Sequence, residues 1–418
     1  MPKTVALIGT LDTKGPEIAY LRDRCQDLGL ATLVIDSGIL GEPLDIEPDF
    51  SRSTVAKAAG SDLDSIRQAG SRGAAVHEMM KGVRQVVLDL YAAGRLHGVA
   101  CLGGAEGSVL GAHAMQALPV GVPKLLATPI ASGKRHFGPL MGLRDVMVVH
   151  SIIDILGINP ISQTIFDNMA AALSGLVEHG HVIDLETDEK YVAITMLGNT
   201  TKSVMGAKER LAQAGIEAII FHSNGVGGPA MEELAEQGLF IGVIDFTTDE
   251  LADELVGGFH NGGPNRLRTI GRLGLPQVVV PGCIDFTVHG PPDEVPDHLR
   301  GRPLYTHNPV FTLVRTLEPE MAELGHRFAE RLREATGPVK IAYPTQGLSI
   351  PSYPPDGVFW DPGADAAFMD TLRAELRSDI PILEYERHVN DPEFGVEVAE
   401  LFLRMTGDGH RSSIIRSI

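Results

Sequence analysis

Short apolar runs recur along the chain, each closing near Gly, Asp or Ser and each followed by a stretch with helical spacing: TVALIGT, ATLVIDSG, GVACLGG, VAITMLGN, AIIFHSNG, LFIGVIDF and QVVVPG. Runs so short and so continuously apolar suit strands buried on both faces. Their alternation with helices predicts a parallel sheet covered on both sides. The expected class is α/β, with two Rossmann-like domains built on mostly parallel, doubly wound sheets.

Two segments, KTVALIGTLDTKGPEIAYLRDRCQDLGLATLVIDSG and KYVAITMLGNTTKSVMGAKERLAQAGIEAIIFHSNG, align strand, TK pair, helix and second strand with one inserted residue. The two halves therefore read as an internal repeat. Lys14 matches Lys202, Thr13 matches Thr201, Asp12 matches Thr200, and Asp36 is replaced by His222. The apolar helix pattern of MAAALSGLV gives way to charge in HVIDLETDEK, residues 181–190, so the expected domains are 1–184 and 189–418. A Pro-rich stretch at 344–368 reads as a structured loop before a last helix.

At 418 residues the chain exceeds what one core usually fills, and 44% hydrophobic residues supply two. The formal net charge of −19 argues against nucleic acid or an anionic membrane as partner, because both need clustered Lys and Arg. Cys25, Cys101 and Cys283 are far apart and odd in number, which offers no disulfide framework and fits a reducing cytoplasm. The first apolar run is too short for a signal peptide, and nowhere do about 18 apolar residues run together as a span requires.

Three strand ends of the first half carry candidate chemistry. In GTLDTKGPEI a strand ends in a glycine turn and feeds a helix, aiming backbone N–H groups at whatever sits there, and Asp12, Thr13 and Lys14 stand side by side. Neither GxxxxGK[ST] nor GxGxxG is present, so turn and cap chemistry alone is the competing reading. Asp36 ends the second strand, where an acid takes ribose hydroxyls or makes an Asx-turn. In LGGAEGS, Gly103, Gly104 and Gly107 allow close backbone approach around Ala105, while Ser108 is placed to cap the next helix. Glu106 inside that loop repels phosphate unless a divalent cation such as magnesium intervenes or the carboxylate points away. Arg72 is placed to reach a phosphate from a neighbouring loop; Ser132, Gly133, Lys134 and Arg135 form a second small-residue basic turn, and Asp154, inside HSIIDILGI, reads as buried and hydrogen-bonded.

The second half concentrates His and acids at strand ends: His222, Asp245, Asp285, His289 and His307, with Glu232 on the helix after GVGG. Imidazole and carboxylate together serve acid–base chemistry or a metal, although no fixed ligand spacing such as HExxH is present. His222, Asp285 and His289 are the candidate catalytic residues, and Arg266 and Arg268 are candidates for holding a carboxylate or phosphate.

Taken in order, GTLDTK, LGG before a Gly-rich helix start, ASG, SIIDILGIN, FHSNGVGG, PGCIDF, HNP and DPEF resemble the bacterial, fungal and plant family of ATP-binding proteins related to the tomato mosaic virus resistance protein of tomato. The resemblance implies two Rossmann-like domains, ATP in the first, and a homodimer. Its plant member continues into a TIM-barrel-like domain, which implies a separately encoded TIM-barrel protein as a partner here. Carried onto this chain, its nucleotide contacts fall on Asp12, Thr13, Lys14, on Gly38 and Ile39 after Asp36, on Arg72, and on Gly103, Gly104, Ala105, Glu106, Gly107 and Ser108. Ala105 and Glu106 depart from the plant pattern. The expected function is a cytoplasmic ATP-binding enzyme acting on a small anionic substrate at an inter-domain cleft. The alternatives are a nucleotide sensor without turnover and, on fold alone, an NAD-dependent oxidoreductase.

Overall fold

A computed structural model describes residues 2–131, 138–183 and 189–407. The chain divides into two compact units, residues 1–184 and 185–418. The first runs β1 (Thr4–Gly9), α1 (Leu11–Asp27), β2 (Ala31–Asp36), α2 (Arg52–Ala58), α3 (Leu63–Arg67), α4 (Arg72–Ala92), β3 (Gly98–Leu102), α5 (Ala105–Gln116), β4 (Lys124–Thr128), α6 (Gly138–Met141), β5 (Met147–His150) and α7 (Pro160–His179). Its strands form one parallel sheet in the order β2-β1-β3-β4-β5.

Alternation along β1 explains the layers. Ala6 and Ile8 point into a core shared with Met79, Val83 and Val87 of α4 and Leu110 of α5. Val5 and Leu7 point into another, shared with Ile18 and Leu21 of α1 and Phe166 and Leu173 of α7. Both faces of the strand are dry, so TVALIG reads as one apolar run with no polar alternation.

The second unit runs β6 (Tyr191–Met196), α8 (Thr201–Gln213), β7 (Glu217–His222), α9 (Gly227–Glu236), β8 (Gly242–Thr247), α10 (Asp249–Val256), α11 (Thr269–Arg272), β9 (Gln277–Gly282), β10 (Phe286–His289), β11 (Leu304–Thr306), β12 (Thr312–Arg315), α12 (Glu318–Leu332), β13 (Val339–Pro344), α13 (Pro362–Glu375), β14 (Ile382–Tyr385) and α14 (Pro392–Thr406). Six parallel strands order as β14-β13-β9-β8-β6-β7, and β10-β12-β11 form a separate antiparallel sheet.

Both parallel sheets place the second strand outside the first and the third on its other side, the order of one common doubly wound fold. The repeat extends to register: Gly9 pairs with Asp36 as Met196 pairs with His222. The Pro-rich stretch departs from expectation at its end. It is packed, with Leu348 and Phe359 buried, but α13 already begins inside it at Pro362, and β14 and α14 follow.

Candidate functional site

In the first unit the winding reverses between β1 and β3, and open α/β sheets take ligands outside the strand ends at such a point. A cavity of about 560 Å3 opens there. Thr10, Asp12, Thr13 and Lys14 line it from behind β1, Ile39 and Leu40 from behind β2, and Arg72, Gly104, Ala105, Glu106 and Gly107 from the starts of α4 and α5.

Two helices begin at this wall. The N-cap of α5 is Gly104, which has no side chain to cap with, and the N-cap Thr10 of α1 makes no side-chain cap bond either. At α5 the first-turn N–H groups have no partner within their own helix, so that end presents donors and a positive dipole end, whereas at α1 Leu11 N is taken by Asp36 and Thr13 N by the Thr10 carbonyl. Ser108, expected to cap α5, lies inside the helix instead: its buried Oγ bonds to Gly103 O at 2.9 Å and Thr128 Oγ1 at 2.7 Å. Gly103 is required by close approach, since a Cβ there would stand 2.5 Å from the backbone of Gly107 and Ser108.

Asp36 is completely buried and frames the cavity without lining it. One oxygen accepts from Leu11 N at 3.3 Å and Gly38 N at 2.9 Å, and the other pairs with Arg52 Nε at 2.8 Å. The carboxylate expected to take ribose hydroxyls therefore ties together the turns after β1 and β2. Gly38, Gly103 and Ser108 likewise belong to the frame, absent from the lining.

The conflict posed by Glu106 is resolved by pairing. Arg72 Nε donates to its Oε2 at 2.7 Å, with the arginine side chain largely exposed. Asp12 Oδ2 accepts from Gly41 N at 3.1 Å, and Lys14 Nζ donates to the carbonyl of Ile155. That carbonyl lies in the 151–159 loop, which Glu17 also holds by accepting from Gly157 N at 2.6 Å. Within the loop Ile155 is buried and Asp154 is exposed, reversing the expectation for Asp154. Ser132, Gly133, Lys134 and Arg135 lie outside the described residues.

In the second unit the expected cluster separates into three places. Arg266 is fully buried and donates to both oxygens of Asp245, at 2.5 and 2.6 Å, to Glu250 at 2.5 Å and to Glu232 at 3.4 Å. Burial pushes the Glu232 carboxyl up to about 7, partly offset by the guanidinium. Arg268 is taken up by Glu330 and Glu334. Both arginines expected to hold a substrate anion are thus occupied by carboxylates of the chain itself.

Asp285 is buried elsewhere, accepting from Ser349 Oγ at 2.6 Å, and burial raises its pKa. His289 is buried against Thr287 Oγ1 at 2.9 Å, with its pKa lowered by burial. Neither joins His222. The candidate catalytic trio is therefore corrected to one member, because the antiparallel sheet carries His289 inward and Asp285 packs under the 349–352 turn.

His222, exposed at the end of β7, instead lines a cavity of about 220 Å3 with His260 and His307. Leu197, Phe286, Val288, Phe311 and Leu313 supply apolar wall, and Asn199 and Asn308 supply amides. His260 Nδ1 lies 2.8 Å from Asp249 Oδ2, and Ser223 Oγ donates to Asp249 Oδ1 at 2.7 Å. Sequence reasoning missed His260 and Asp249. His260 stands in FHNGG beside the arginines that drew notice, and Asp249 follows the β8 strand end in FTTDEL. Among the described residues, no group of three or more His, Cys, Asp or Glu is placed to hold a metal ion, and no helix is long and apolar enough to cross a membrane.

Comparison with known proteins covers both units. Residues 3–182 match the N-terminal domain, and residues 189–406 the C-terminal domain, of an uncharacterised protein family, UPF0261. A UPF0261 protein of Clostridium tetani is 38% identical over 406 residues, 97% of this chain and 99% of that protein. One from Rhizobium meliloti is 33% identical over 94% of this chain and 96% of its own. The ToMV susceptible protein tm-1(GCR26) of Solanum lycopersicum is 30% identical over 96% of this chain, which spans 56% of the tomato protein. The solved UDP-GlcNAc 2-epimerase of Methanocaldococcus jannaschii aligns over 96% of this chain and 93% of that one at 10% identity and a TM-score of 0.21, too slight a likeness to bear on fold or function. With both domain matches in chain order and relatives matched along nearly their whole length, this two-unit α/β chain belongs to the UPF0261 family.

Proposed function

We propose that this chain binds ATP, with the phosphates held in the first-unit cavity between the turns after β1 and β3. The observation that carries the reading is the meeting, in one cavity of about 560 Å3, of the α5 N-terminus, which has no side-chain cap, with the turn that opens α1 and the cations Lys14 and Arg72. Backbone N–H groups and positive dipole ends suit phosphate oxygens, and the volume is that of an ordinary ligand site. The choice of ATP among phosphorylated ligands rests on the family resemblance. Asp12 and Glu106, on the same lining, are the carboxylates that would hold magnesium, which would supply positive charge against the phosphates.

In this reading the protein is a cytoplasmic metabolic enzyme acting on a small anionic substrate. Three free, buried cysteines accord with a reducing compartment. A second copy of the chain and a separately encoded TIM-barrel protein are the partners the resemblance implies. Exposed Ile152, Leu156 and Ile158 between β5 and α7, with Ile161 in the first turn of α7, offer an apolar face for either.

Calorimetric titration of ATP, with and without magnesium, tests the site against Lys14→Ala. Binding in the wild type and its loss in the variant support it; no binding in the wild type removes it. Nucleotide consumed by the purified protein identifies an enzyme. Binding without consumption favours the alternative, a sensor whose ATP-bound state another protein reads.

A further inference from the structure

We propose that Asp249 and His260 form an acid–base dyad that enolises a small carbonyl compound in the second-unit cavity. In the neutral form of the imidazole, a hydrogen bond donated to the Asp249 carboxylate places the hydrogen on Nδ1 and leaves the lone pair on Nε2. Asp249 is held in turn by Ser223, and the His260 backbone N–H donates to Asp253 Oδ1 at 3.0 Å. Gly258 makes the return onto α10 possible, because a Cβ there would stand 1.8 Å from the same Asp253 oxygen. Asp249 thus holds the imidazole and Asp253 the backbone of the same residue, and His260 is among the residues that line the cavity.

The rest of the lining states the substrate class. Asn308 Oδ1 accepts from Val310 N and Phe311 N, and Asn199 Oδ1 accepts from Ile350 N, so the amide NH2 groups are left for a ligand. The two amides are hydrogen-bond donors that suit ligand oxygens, and His222 and His307 add ring nitrogens able to donate or accept. Among the described residues no Asp, Glu, Lys or Arg lines the cavity, and its 220 Å3 equals roughly seven waters at about 30 Å3 each. A short oxo-compound fits and a nucleotide does not.

His260 Nε2 takes a proton from the carbon beside the carbonyl. The C–H electron pair moves into a new C=C bond, the carbonyl π pair becomes the enolate oxyanion, and the donors stabilise it. Asp249 stabilises the imidazolium, which returns its proton to carbon or oxygen. The groups bearing on the ring are Asp249, Asp253 and Glu250, which raise its pKa against the lowering effect of burial, together with His222 and His307 on the same cavity.

Pyruvate is the probe: loss of its methyl signal in D2O is followed by proton NMR with the full chain and no nucleotide, so the result is independent of ATP binding. Exchange faster than in buffer is expected for the wild type and for His326→Ala, a distant surface histidine. His260→Gln should lose about a hundredfold or more of the acceleration. Asp249→Asn should keep weak exchange with the acid limb of its pH profile moved to lower pH, because the imidazolium loses its carboxylate. Wild-type exchange at the buffer rate, or His260→Gln matching wild type, overturns the proposal. Nitrogen NMR of unmodified protein gives a check that needs no variant: a neutral His260 with hydrogen on Nε2 overturns the dyad as well.

Discussion

Arg72 donates to Glu106 at 2.7 Å on the lining of the first-unit cavity, the arginine from the start of α4 and the glutamate from the first turn of α5. A phosphate entering there competes with Glu106 for the guanidinium. Arg72→Ala should therefore weaken ATP binding a few-fold to about tenfold, the range for an exposed charge-assisted contact. Glu106→Gln should tighten binding without magnesium and blunt the gain that magnesium brings. Calorimetry on the two variants reads both effects.

Gly103→Ala is expected to destabilise the first unit by about 1–3 kcal/mol, the usual range for overpacking. The added carbon meets backbone at 2.5 Å, and backbone cannot turn aside as a side chain would. Thermal unfolding should show the drop, and ATP affinity should fall with it as the start of α5 shifts.

Among the described residues Arg266 is the one cation paired with Asp245, Glu250 and Glu232, all buried. Arg266→Met leaves three uncompensated carboxyl groups in the core, and such a loss costs about 3–5 kcal/mol. Urea unfolding of the second unit at neutral pH should report it. The deficit should shrink toward acid pH, where the carboxyl groups take up protons.

Burial, reinforced by the charge of Asp249, pushes the Asp253 carboxyl from 3.8 up to about 8. The folded protein then holds a proton that the unfolded chain has released, so this group's contribution is full below 3.8 and is lost as pH rises to about 8. Asp253→Asn cannot ionise and should flatten the decline in stability across that window. Denaturation midpoints measured from pH 4 to 9 check the sign; a steeper decline in the variant would refute the assignment.

Much of the first-unit site was legible because its parts are local. GTLDTK and LGGAEGS each hold a strand end, a turn and a helix start within a few residues, and parallel strands put all such ends on one edge. Asp36 was legible in place and, through the Asx-turn in which Gly38 N donates to it, in part of its role; the rest was not. Its other partners are Leu11 behind the neighbouring strand and Arg52 on α2, contacts that no local spacing encodes. The trio of His222, Asp285 and His289 rested on residue type and nearness to strand ends. PGCIDFTVHG was read as continuing a parallel strand edge, whereas β10 leaves that sheet for an antiparallel one and carries His289 into the interior.

By itself the sequence determined the class, the two units and their repeat, because dry strands and alternating helices leave a periodic trace in the order of residues. Tertiary structure alone decided which polar groups are occupied and which face a cavity. Asp245, Arg266 and Asp285 were drawn into buried networks, while Asp249 and His260, eleven residues apart and separated by a helix, were brought to 2.8 Å. The reason is physical: a buried charge must find a partner, and which partner is in reach depends on how helices and strands pack, not on the neighbours along the chain.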